Sequence, residues 1–79
     1  MEYKYNDIEK VVEFKTWTED RKIDELYRID AEMYMQLGLD SSKKERTDTR
    51  RKSKSIYRAI QKLNPRLGKE LIYYIDREE

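Results

Sequence analysis

Sixteen consecutive residues, Asp40 to Ser55, carry no hydrophobic side chain. A chain of 79 residues cannot bury such a segment, so any core must be assembled from the residues on either side of it. The segment itself must be a solvated helix or a mobile loop. It contains no Gly or Pro, and its Lys, Arg and Glu residues are good helix formers. Ser42-Lys43-Lys44-Glu45 has the form of a capping box. Against a helix, nothing between 43 and 55 can bury a face except the methyls of Thr47 and Thr49. The balance predicts a helix over 49–63 that frays toward Ser42.

The same segment marks a reversal of charge. Residues 1–40 hold six Lys/Arg against eleven Asp/Glu, a net of −5, and residues 41–79 hold twelve against six, a net of +6. The formal total of +1 conceals this split. A basic half attracts phosphate, whereas an acidic half of the same chain can neutralise it within the fold.

Apolar spacing predicts helices elsewhere. Asn6 followed by Glu9 suggests a capped start, and Ile8, Val11 and Val12 share one face of a helix at about 7–15. A β segment over Lys10–Trp17 is the rival reading, and Met1–Tyr5 reads as a ragged strand or a disordered lead. Thr18 is an N-cap followed by two acids, which suits the helix dipole. Ile23, Leu26, Tyr27, Met33, Tyr34 and Leu37 recur at three-to-four spacing, with Asp30 interrupting the stripe and Gly38 placed as a C′ residue. This predicts a helix over 19–37. Ile56, Tyr57, Ile60 and Leu63 line the next helix, and Asn64-Pro65 supplies a break and restart. Leu67, Leu71, Ile72 and Ile75 face a last helix at 65–77. Gly68 inside it points to a close helix crossing. The expected fold is therefore a single all-α domain, a small bundle of three to four helices. The helices 19–37 and 49–63 pack antiparallel, and 65–77 closes the core.

The residue inventory narrows function. Without cysteine there is no disulfide or thiolate metal site, and without histidine the commonest general base and most zinc sites are absent. No apolar run approaches the ~18 residues of a membrane span, and no signal-peptide core is present, so a soluble cytoplasmic protein is expected. Ser41, Ser42, Ser53 and Ser55 have no histidine to activate them. Asp20, Asp24, Glu25, Asp30 and Glu32 could ligate Mg²⁺, but acids on one helix more commonly form a solvated face. Neither an enzyme nor a bound cofactor or metal is expected.

Two sets of residues are candidates for binding. Lys43, Lys44, Arg46, Arg50, Arg51, Lys54 and Arg58, together with Lys52 and Lys62, form a basic segment opposed only by Glu45 and Asp48. On a helix, Lys43, Arg46, Arg50, Lys54 and Arg58 make a stripe about 22 Å long that could track a phosphate backbone, with Ser53 and Ser55 adding neutral contacts. The competing expectation is that these bases are merely solvated, or pair with Glu19, Asp20, Asp24, Glu25 and Glu32. Asp30 is expected to pair with an arginine of the basic helix. No aromatic lies within 40–55 to stack on single strands, and the isoelectric point of about 7.9 is modest for a nucleic-acid binder. Tyr73 and Tyr74, being adjacent, point to different faces, so at least one is available to a protein partner.

Several stretches together carry a resemblance: Trp17 with Lys22-Ile23-Asp24-Glu25-Leu26, Ile29-Asp30-Ala31, Met33-Tyr34 with Leu37-Gly38, Asp40-Ser41-Ser42-Lys43-Lys44-Glu45-Arg46, and Ile56-Tyr57-Arg58-Ala59-Ile60. They resemble small uncharacterised proteins of T4-like marine phages, cyanophages in particular, over roughly half of the chain. The resemblance implies a host-cell cytoplasmic setting during infection, or packaging in the virion. It transfers no catalytic or binding residue. Two expectations follow: a small non-enzymatic protein-interaction module that binds itself as a homodimer or a host protein, or a nucleic-acid-binding accessory protein that uses the basic helix.

Overall fold

Capping residues set where the helices begin. The computed structural model describes residues 3–77, and Met1 and Glu2 of the expected lead lie outside them. A 3₁₀ turn at Tyr5–Asp7 precedes four helices: α1 (Ile8–Glu13), α2 (Glu19–Met35), α3 (Lys43–Leu63) and α4 (Pro65–Arg77). The protein is an all-α bundle, and no strand occurs among the described residues.

The first turn is built differently from the expected Asn6–Glu9 box. The chain tightens two residues earlier, and the Lys4 N–H donates to Asp7 Oδ2 at 3.0 Å. Helix α1 ends at Glu13, short of residue 15, because Phe14 adopts an extended conformation. Neither a strand lead at Tyr3–Tyr5 nor the β alternative over Lys10–Trp17 forms.

At α2 the expected cap is present, with the Arg21 N–H donating to Thr18 Oγ1 at 3.2 Å. The helix closes at Met35, two residues before Leu37. Gly38 does not adopt the left-handed conformation of a C′ glycine. A tighter turn ends it instead, the Leu37 N–H donating to the Tyr34 carbonyl at 3.1 Å.

Helix α3 starts at Lys43 rather than near 49. The Glu45 N–H donates to Ser42 Oγ at 3.1 Å, so the cap anticipated at Ser42 sets the boundary. The basic segment thus continues the buried helix, and α3 is a rod about 31 Å long. Its first half needs little packing: Thr49 is half-buried, and the Lys52 ammonium lies 5.4 Å from the centre of the Tyr5 ring. At the far end the Leu67 N–H donates to Asn64 Oδ1 at 3.2 Å, and Pro65 opens α4.

Helix α3 touches α1, α2 and α4. Residues 36–42 turn the chain so that α2 and α3 run antiparallel, with Asp30 beside Tyr57. Helix α4 folds back along α3, from Gly68 against Gln61 to Asp76 against Lys54. The core comprises Val11, Ile23, Leu26, Ile29, Ile56, Ala59 and Ile60. Ile29, outside the predicted α2 stripe, is 2% exposed, whereas Tyr34, inside it, is 40% exposed. The Cα framework measures 40 × 30 × 14 Å, little more than one helix thick. Among the described residues, no helix is long and apolar enough to cross a membrane.

Candidate functional site

Two of the surface grooves hold the candidate residues of α3 and α4. The first spans α2, α3 and α4 and is lined by Asp30, Tyr34, Tyr57, Leu71, Tyr74 and Ile75. Asp30 lies at its base and is 8% exposed. It does not pair with an arginine as expected. It accepts a hydrogen bond from the Tyr57 hydroxyl at 3.0 Å. The antiparallel register brings α3's inner face, not its basic face, to this point of α2, so a tyrosine arrives where a guanidinium was expected.

This pairing shapes Tyr57. Burial pushes its phenol up to about 12, and the Asp30 carboxylate adds to the shift by charge and by hydrogen bonding. Ser53, one turn earlier, pulls the other way. The Ser53 side chain is fully buried. It lies close enough to Tyr57 to favour the phenolate, yet no partner meets hydrogen-bond geometry with its Oγ. Ser53 therefore cannot serve as the surface phosphate contact that its place in the basic segment suggested. Asp30 Oδ1 is likewise buried without a hydrogen-bond partner. An unsatisfied buried carboxylate oxygen is costly, typically about 1–3 kcal/mol or more.

Tyr73 and Tyr74 are 58% and 62% exposed. Although adjacent in sequence, their rings meet edge to face with centroids 5.7 Å apart. Tyr74 leans into the groove, and Arg77 covers Tyr73 at 5.5 Å. Both tyrosines thus present ring surface to solvent.

The second groove runs between α3 and the end of α4. Thr47, Arg50, Arg51, Lys54, Ser55 and Arg58 line it, with Ile75 and Asp76 on the α4 side. The structure thus brings together four of the seven predicted polyanion-binding residues. Lys43, Lys44 and Arg46 are exposed nearer the start of α3. The stripe is not a bare helix face. Lys54 Nζ lies 2.6 Å from Asp76 Oδ1 of α4. Ser55 donates to the Arg51 carbonyl at 3.3 Å, and Thr47 to the Lys43 carbonyl at 2.9 Å.

The acids of α2 have other uses. Arg28 of the same helix pairs with Glu25 at 2.6 Å and Glu32 at 2.7 Å, and donates to the Tyr3 carbonyl at 2.5 Å. Glu25 and Glu32 are thereby engaged within α2, while Glu19, Asp20 and Asp24 are exposed. Sequence reasoning missed Asp76 as the partner of Lys54 and Tyr57 as the partner of Asp30. Both are long-range pairs that depend on helix register, and no local spacing signals them.

No protein-family model, curated protein or solved structure matches this chain.

Proposed function

We propose that this protein is a small non-enzymatic interaction module that associates with a second copy of itself through the tyrosine groove. The observation that carries the reading is the groove itself. Tyr34, Tyr57 and Tyr74 surround Leu71 and Ile75 above a buried carboxylate with one unpartnered oxygen. Tyrosine is enriched at the centres of protein interfaces because it buries a large area at low entropic cost and keeps a hydrogen-bonding tip. A donor from the partner would satisfy Asp30 Oδ1. A thin fold of this size also gains stability by covering a face. A host protein is the alternative occupant. The resemblance to phage proteins supports a phage-encoded module working in the cytoplasm of an infected cell.

Size-exclusion chromatography with light scattering, from micromolar to millimolar protein, tests the reading. The mass is expected to rise toward that of a dimer. Tyr34→Ala combined with Tyr74→Ala should hold the protein monomeric with unchanged helix content. A strict monomer at every concentration, with no host protein co-purifying, ends the proposal.

A further inference from the structure

We propose that the groove between α3 and the end of α4 binds the phosphate backbone of double-stranded nucleic acid, and that Asp76 competes with the phosphates for Lys54. This site shares Ile75 with the tyrosine groove but is otherwise lined by different residues, and neither reading depends on the other.

Like charge crowds this groove. Arg50, Arg51, Lys54 and Arg58 line one groove, where Arg50 is itself engaged within the protein and Asp76 of α4 is the one acid among the described lining residues. Such a gathering of cations is relieved by a bound polyanion and gains affinity from released counterions. Glu25 and Glu32 of the acidic half are turned to Arg28, so they are committed elsewhere. Three of the four groove bases are arginines, whose planar fork suits the paired oxygens of phosphate.

The shape selects the ligand. Helix α3 runs on beyond the level of Asp76, carrying exposed Lys43, Lys44 and Arg46. From Lys43 to Arg58 the helix extends about 22 Å, the axial length of roughly six phosphates along one strand. No aromatic side chain lines the groove, so it lacks a platform on which unpaired bases could stack. Contacts of this kind position a duplex without reading its sequence. Asp76 gives the groove a threshold. It holds Lys54 at 2.6 Å, and a phosphate must displace it to use that base.

The test is fluorescence anisotropy with a fluorescein-labelled duplex of roughly 20 base pairs, from ~50 to ~200 mM salt. Four phosphate contacts would give a log–log salt slope near −3.6, which is roughly a hundredfold loss of affinity across that range. Asp76→Asn should tighten binding several-fold, a gain that misfolding cannot imitate. The double variant Arg51→Gln/Arg58→Gln should lose binding, whereas Lys10→Gln on α1 should not. No change in anisotropy at ~50 mM salt with micromolar protein would overturn the proposal. Unchanged affinity in Asp76→Asn would overturn the competition. Displacement of the duplex by polyglutamate as readily as by unlabelled duplex of equal charge would assign the groove to an acidic protein surface instead.

Discussion

Gly68 of α4 lies so close to Gln61 of α3 that the two helix backbones meet with no side chain between them. A methyl group at position 68 would stand 2.5 Å from Gln61 N and nearer still to its Cα and Cβ. Two of these atoms are helix backbone and the Cβ is fixed to it, so none can swing aside. Alanine is intrinsically the better helix former by about 1 kcal/mol, but overpacking costs about 1–3 kcal/mol and more where backbone must move. Gly68→Ala should therefore destabilise the protein by about 2 kcal/mol, measured as a lower urea midpoint with an unchanged slope.

Burial of Tyr57, with the Asp30 carboxylate beside it, makes stability fall at high pH. The folded-state phenol of Tyr57 titrates near 12, above its ordinary value of 10.0. The folded protein therefore holds this proton more tightly than the unfolded chain does. The stabilisation is complete below pH 10 and is lost as pH rises toward 12. Tyr27 shifts in the same direction, foremost through burial, and contributes to the same decline. Alkaline denaturation followed by circular dichroism should show the loss, and Tyr57→Phe should flatten it. At neutral pH the same variant removes a donor from a buried carboxylate and should cost about 1–3 kcal/mol.

Arg28 ties the N-terminal lead to α2. Its guanidinium is held charged, foremost by the hydrogen bond to Glu25, and reaches the Tyr3 carbonyl. Tyr3 in turn packs against Phe14 and Trp17, with ring centroids 5.4 and 5.8 Å away. Arg28→Gln should release Tyr3 from this cluster. Trp17 emission should shift to the red, at a cost to global stability of about 1 kcal/mol, since the ion pairs are only partly buried. An unshifted spectrum would show that the aromatic contacts alone hold the lead.

Three of the caps are legible from single residues, because a cap is a local event, whereas the turn expected at Asn6 forms at Lys4. Thr18, Ser42 and Asn64 each accept the backbone hydrogen bond that their position suggests. The crossing at Gly68 was legible for a related reason: a glycine inside an apolar helix is costly unless a neighbour needs the space. Apolar spacing alone places the start of α3 too late, because the cap at Ser42 and not a buried stripe sets it. A segment of good helix formers, capped at one end and anchored to a packed helix at the other, needs no buried stripe of its own. The candidate sites were legible as residue types but not as places. Asp30 looked like half of an ion pair until the register set Tyr57 opposite it. The basic stripe looked continuous until α4 came back along α3 and set Asp76 against Lys54.

The position of Ser53, midway along α3, has a consequence for motion. On its C-terminal side Ile56, Ala59 and Ile60 are clamped in the core. On its N-terminal side, from Lys43 to Lys52, no residue of the helix is fully buried. The two halves share an unbroken backbone ladder but not a common anchorage. Opening from the Ser42 end can therefore run down the helix one turn at a time, exposing almost no apolar surface until it reaches Ser53. Amide protons along this single helix should exchange on a gradient, fast near Lys43 and slow beyond Ile56, with the step at the one buried serine.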